Sequence, residues 1–212
     1  MYWKKKKLTY DILIPPLTKK ILDFSAEETE SYFRWFMQQI PSRIEYLTEV
    51  CSQQLKIDRS KLDLSAESLV YIWEWFLKVA EIEQTPKAAL NDLSKQYNYL
   101  PRSLKKHFLE QSKEQLSLQT EYIIRDIGMY IGEVFVREHP VIYWGYYTPP
   151  QLDRFTNSPL LLGFEYDYVS PFKVPFEPIH MVGVQAANLF DKSANKMDLI
   201  KIYRIWERHV PG

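Results

Sequence analysis

Residues 119–138 constrain the fold of this chain more than any other stretch. Ile123, Ile127, Tyr130, Ile131 and Val134 recur at helical spacing on one side, and His139-Pro140 closes the run. Gly128 and Gly132 lie one turn apart within it. A glycine inside a helix costs about 1 kcal/mol relative to alanine, so two on one face predict that another element approaches the helix backbone closely. The run therefore reads as a helix packed in the core.

The first half of the chain follows the same helical logic. Residues 8–14 alternate loosely and stop at Pro15-Pro16, which predicts a short extended segment. Ser25-Ala26-Glu27-Glu28 is a capping box, and Phe24 is placed to staple onto the first turns. Tyr32, Phe33, Phe36, Met37 and Ile40 then form a stripe. Pro41 predicts an interruption, with a second helix burying Ile44, Leu47, Cys51 and Leu55. Ser65 is a candidate cap for a third helix, with Leu69, Ile72, Trp73, Phe76 and Val79 or Ala80 buried. Ser25-Ala26-Glu27 and Trp35-Phe36 recur forty residues on as Ser65-Ala66-Glu67 and Trp75-Phe76, consistent with a duplicated hairpin or with cap chemistry alone. Residues 84–118 are polar, and Pro86 and Pro101 divide them into short helices near 87–97 and 102–115.

Past the long helix the pattern changes. Val141 to Tyr147 and Leu160 to Tyr166 are β-rich and flank a proline-bearing loop, which predicts an antiparallel pair lying against helices. Residues 167–177 read as an aromatic loop. Pro178 suits the first position of a helix with Ile179, Val182, Ala186 and Phe190 as its stripe. A last helix capped by Asp198 gathers Leu199, Ile202, Tyr203 and Trp206, although Leu199 to Ile205 also fits a strand. The expected fold is α+β and predominantly helical. A bundle-like N-terminal half packs on a small antiparallel sheet from the C-terminal half. One domain is expected over 1–212: an extended segment at 1–16, a helical part at 17–118, and the long helix, β-hairpin and closing helices at 119–212.

Several functional classes are disfavoured. Lys and Arg balance Asp and Glu at 27 each, so no global field draws the chain to nucleic acid or anionic lipid. Only Lys4 to Lys7, beside Trp3, form a basic run, and a solvated terminus accounts for it. No stretch approaches the roughly 18 apolar residues of a membrane span, and Thr9, Asp11, Pro15 and Pro16 break up any signal-peptide core. With Cys51 as the only cysteine, a reduced, cytoplasmic protein is expected. The four histidines stand about thirty residues or more apart, with no HxxxH or HExxH, so no metal site is expected. GxGxxG, GxxxxGK and GxSxG are absent, so common nucleotide cofactors and a nucleophile elbow are not expected.

Two candidate sites remain. Glu133 and Arg137, four apart, predict an ion pair, and His139 follows at the helix end; together they are the best catalytic candidate. The late aromatics are more informative. Tyr146, Tyr147, Phe155, Tyr168 and Phe172 fall outside helical stripes, and tyrosine suits surfaces that become buried on binding.

The succession Gly128-Met129-Tyr130-Ile131-Gly132-Glu133, Trp144, Pro159 to Phe164 and Pro178-Ile179 resembles a pattern in a family of uncharacterised bacterial proteins. Some of its members resemble immunity proteins paired with secreted toxins. The resemblance spans residues 119–190 and implies a protein that binds another protein, such as a toxin domain, without carrying over any catalytic residue. The expected function is therefore a non-enzymatic protein-binding module. The alternative is a hydrolase or transferase at Glu133, Arg137 and His139.

Overall fold

A computed structural model describes residues 9–148, 155–165 and 175–212. Its elements run α1 (Ala26–Leu55), α2 (Ser68–Val79), β1 (Ile82–Gln84), α3 (Lys87–Gln96), α4 (Arg102–Gln111), β2 (Glu114–Leu116), α5 (Leu118–Glu138), β3 (Tyr143–Gly145), β4 (Leu160–Leu162), α6 (Pro178–Ala186) and α7 (Asp198–Glu207). The fold is α+β and predominantly helical. Among the described residues, no helix is long and apolar enough to cross a membrane.

The central element is α5, which packs against α6, α1 and α2 and touches β3. Its glycines do what their spacing predicts. A β-carbon on Gly128 would lie 2.7 to 2.9 Å from the side chain and backbone of Ile179, at the start of α6. One on Gly132 would overlap the Trp144 indole of β3. That indole donates to Glu133 Oε1 at 2.7 Å and meets Phe36 of α1 edge-on at 5.3 Å. Two bare positions on one helix thus seat a helix start and a strand.

The capping box holds α1 as expected: Glu28 N–H donates to Ser25 Oγ at 3.2 Å, and Ser25 N–H to Glu28 Oε2 at 2.8 Å. Phe24 is buried, its ring 5.5 Å from that of Tyr32. The expected break at Pro41 does not occur. A single helix of 30 residues runs through it. Pro41 is exposed, while Phe36, Ile40, Arg43, Leu47 and Cys51 form one buried face across it. Burial on both sides of the proline outweighs the one hydrogen bond that its missing N–H forfeits.

In α2, Ser65 Oγ does accept from Ser68 N–H at 3.3 Å, but the regular helix begins only at Ser68. The Ser-Ala-Glu motifs therefore start helices differently. Trp75, expected outside the stripe, is fully buried and donates to Gln54 Oε1 at 2.8 Å. Asp198 begins a helix throughout, so the strand alternative for Leu199 to Ile205 does not hold. Pro178 takes the first position of α6 as expected.

Strand pairing departs from expectation in two ways. The C-terminal pair is short: Tyr143, Trp144 and Gly145 oppose Leu162, Leu161 and Leu160. Phe176 bridges to Leu161 on its far side. A second antiparallel pair, unforeseen, joins β1 to β2, with Ile82, Glu83 and Gln84 opposite Leu116, Gln115 and Glu114. Apart from Ile82 and Leu116 its residues are polar, and four of the six are exposed, so no alternating pattern announced it.

Replacing either α5 glycine with alanine sets a helix-propensity gain of about 1 kcal/mol against a clash. Overpacking of this kind costs about 1–3 kcal/mol. Because Ile179 contributes backbone atoms and Trp144 is held by Glu133, we expect both Gly128→Ala and Gly132→Ala to be net destabilising. Urea unfolding checks this; a gain in midpoint for either would contradict the packing.

Candidate functional site

The expected catalytic trio does not assemble. Glu133 accepts from Trp144, Arg137 donates to the carbonyl of Asp63, and His139 faces Tyr203 of α7. The anticipated Glu133–Arg137 pair gives way because each side chain reaches a neighbour on another element. His139 instead joins a different group. Glu138, His139 and Glu207 bring an imidazole nitrogen and two carboxylate oxygens within 4.8 Å of one another.

Those three residues could hold a metal ion, but their hydrogen bonds are already directed inward. Tyr203 Oη donates to Glu138 Oε2 and lies 3.0 Å from His139 Nε2. With the hydroxyl proton on Glu138, Nε2 must be the donor in its contact with Tyr203, so its lone pair is unavailable to a cation. Ala66 N–H donates to Glu138 Oε1 at 2.9 Å, and Arg204 donates to both oxygens of Glu207 at 2.9 Å. Burial and the Glu138 carboxylate push the Tyr203 hydroxyl far above its usual range. The group ties the end of α5 to α2 and α7.

A second polar cluster lies at the α1–α5 contact. Asp126 is fully buried, and its Oδ2 accepts from Tyr10 Oη at 2.7 Å and from Arg43 at 2.6 and 3.0 Å. Arg43 also reaches the backbone carbonyl of Asp11 at 2.7 Å and lies over the Tyr46 ring at 4.9 Å. Arg125 donates to the Leu13 carbonyl, and Gln119 Oε1 accepts from Tyr10 N–H at 3.1 Å. Burial raises the Asp126 carboxyl; burial also works to lower Arg43, but Asp126, with Tyr10 and Asp11, together leave it raised. We read the pair as ionised. It straps the extended segment at residues 9–14 across α1 and α5 and is closed to any substrate.

The predicted aromatic docking face divides. Phe164 and Phe176, aromatics of the same late stretch, are buried beside Phe135 and Trp206. Tyr146 is half-buried, its ring 4.8 Å from Phe33 of α1. Tyr147 and Phe155 are half-buried near the Tyr147–Thr156 bridge. Tyr168 and Phe172 lie outside the described residues. Tyr143 and Tyr147 border a cleft of about 360 Å³ with Leu162 and Pro175.

Sequence reasoning did not single out the segment between the unforeseen strands. Residues 85–113 form a helical hairpin, α3 and α4, carried on the β1–β2 ribbon. The ribbon continues one step outward, where Thr85 N–H donates to the Lys113 carbonyl at 2.9 Å. Neither helix contains a buried residue, and they pack chiefly on each other. Pro86 and Pro101 set the starts of α3 and α4, and the Tyr97 and Phe108 rings meet at 5.5 Å between them. Tyr99 is 79% exposed, Leu104 47% and Phe108 40%. The segment holds six basic residues against Asp92 and Glu110, a net charge of +4 in a chain whose formal charge is zero. The carboxylates pair locally, Asp92 with Lys95 at 3.1 Å and Glu110 with Lys113 at 2.5 Å. The remaining cations, Lys87, Arg102, Lys105 and Lys106, have no carboxylate partner among the described residues. A groove of about 600 Å³ between the helices is lined by Leu90, Leu109, Arg102, Lys105 and Lys106, among others.

No protein-family model, no curated protein and no solved structure matches the chain. The site is therefore read from its own chemistry.

Two measurements check these assignments. Removing one member of a buried ion pair typically costs about 3–5 kcal/mol. Arg43→Ala and Asp126→Asn should each lower stability on that scale, with the Arg43→Met/Asp126→Leu double variant recovering much of it. Additive losses in denaturant titrations would contradict the coupling. Burial pushes the Cys51 thiol up to about 12. Native protein at pH 8 should thus leave a disulfide reagent unreacted until denaturant is added; rapid labelling of folded protein would overturn the assignment.

Proposed function

We propose that this chain is a non-enzymatic protein-binding module whose contact element is the arm of residues 85–113. One observation carries the reading: a helical hairpin projects on a two-stranded stalk, with Tyr99, Leu104 and Phe108 exposed, and buries none of its helical residues in the core. Apolar side chains left in water on a lifted element are the form of an interface awaiting its partner. The polar clusters elsewhere are committed to holding elements together.

Within that class, an immunity protein that blocks a toxin domain fits well, because inhibition requires only a rigid surface complementary to the target. Tyr143 and Tyr147, beside the β3–β4 cleft, offer a second patch. A hydrolase or transferase at Glu133, Arg137 and His139 is the weaker reading, since each residue is spent on a different neighbour.

The test uses full-length protein and a variant in which residues 86–112 are replaced by Asn-Gly. That dipeptide closes a two-residue hairpin onto the Thr85–Lys113 pair. The native chain should capture a stoichiometric partner from its host, with crosslinks on arm lysines, and the variant should not. Thermal unfolding of the two should coincide closely, because the arm adds little to the core. Equal capture by both would sink the proposal.

A further inference from the structure

The reading of the arm as the contact element leaves the chemistry of its partner open, and the following rests on that reading. The α3–α4 groove is lined by Leu90 and Leu109 and by Arg102, Lys105 and Lys106; its one carboxylate, Glu110, is paired with Lys113, which leaves the lining net cationic. Each flanking helix has 10 residues, which at 1.5 Å per residue gives a groove about 15 Å long, room for some three turns of helix. We infer that the partner presents an acidic amphipathic helix, seated in this groove with its apolar stripe on the leucines and its carboxylates on the cations.

Charge and shape both select this occupant. The arm carries +4, so the remainder of the chain carries −4 and steers an anionic partner toward the arm and away from the body. Arg102 can grip a carboxylate through two parallel N–H bonds, whereas the lysines act as point charges. Lys105 is already oriented, donating to Asn98 Oδ1 at 2.6 Å. An amphipathic helix uses both leucines and cations, as helix-in-groove recognition does elsewhere.

Other occupants fit less well. A nucleic-acid backbone would satisfy the cations but brings no apolar stripe to the leucines. A second copy of this chain offers acidic α1, with Glu27, Glu30, Glu45 and Glu49 on its outer side. That helix already has its apolar face buried.

The probe is a labelled 18-residue peptide with leucines at helical spacing and glutamates elsewhere, with a matched peptide carrying lysine for glutamate. Titrated against full-length protein by fluorescence anisotropy, the acidic peptide should bind at least tenfold tighter than the basic one, and more weakly as salt rises. Arg102→Glu/Lys106→Glu should reverse that preference. Lys105→Gln should weaken acidic-peptide binding severalfold, and serves as the second variant if the first misfolds. Equal binding of the two peptides, no saturable binding, or displacement by a uridine oligomer of matched charge would each overturn the inference. So would displacement by a second copy of the chain. Loss of the host partner on arm replacement, but retention by Arg102→Glu/Lys106→Glu, would leave the arm's role intact and refute the acidic helix alone.

Discussion

The structure depends on how closely its neighbours reach the backbone of α5. At Gly128 the first turn of α6 comes to van der Waals distance of the helix, and at Gly132 the Trp144 ring lies where a side chain would otherwise stand. These contacts bring β3, α6 and α1 around one helix whose buried face extends over most of its length. Close-packed interiors do not yield continuously to added volume. Two missing β-carbons therefore determine where the whole C-terminal half sits.

The α1–α5 contact is also held by charge. Arg43 and Asp126 bring opposite charges to the α1–α5 contact, and the extended N-terminal segment adds Tyr10 on Asp126 Oδ2 and a backbone carbonyl on Arg43. A buried ion pair adds little net stability over a well-packed apolar one. It does set register: an apolar contact would tolerate sliding of α1 on α5, whereas a carboxylate holding both a guanidinium and a phenol has one arrangement. Specification of helix register, more than stability, is the consequence of burying this pair.

Much of this was legible in the residues, and the failures have physical causes. The α5 glycines, the Ser25 capping box and the Pro178 helix start were readable because each is a local device whose chemistry has few alternative uses. Pro41 misled because a local rule competes with burial, and the continuous face from Phe36 to Cys51 won. Arg43 and Asp126 carried an overlooked signal: each interrupts an apolar stripe at helical spacing, which marks a buried charge in need of a partner. The β1–β2 ribbon carried almost none. Two polar residues and one apolar residue on each three-residue strand are too few to show a period, and pairing partners thirty residues apart are fixed by the hairpin between them.

The same division underlies the proposal of binding over chemistry. Catalysis requires titratable groups held around an accessible space, and here Asp126 is buried, Glu138 is engaged by Ala66 and Tyr203, and Glu207 by Arg204 of its own helix. The arm has the opposite character. Helices of ten residues are marginal alone, and elements with few buried contacts open at lower free energy than the core. Such an element is costly to maintain unless its exposed rings and unpaired cations are used. Seating a partner would supply the buried surface that the arm lacks, so its local stability and its binding draw on the same interface.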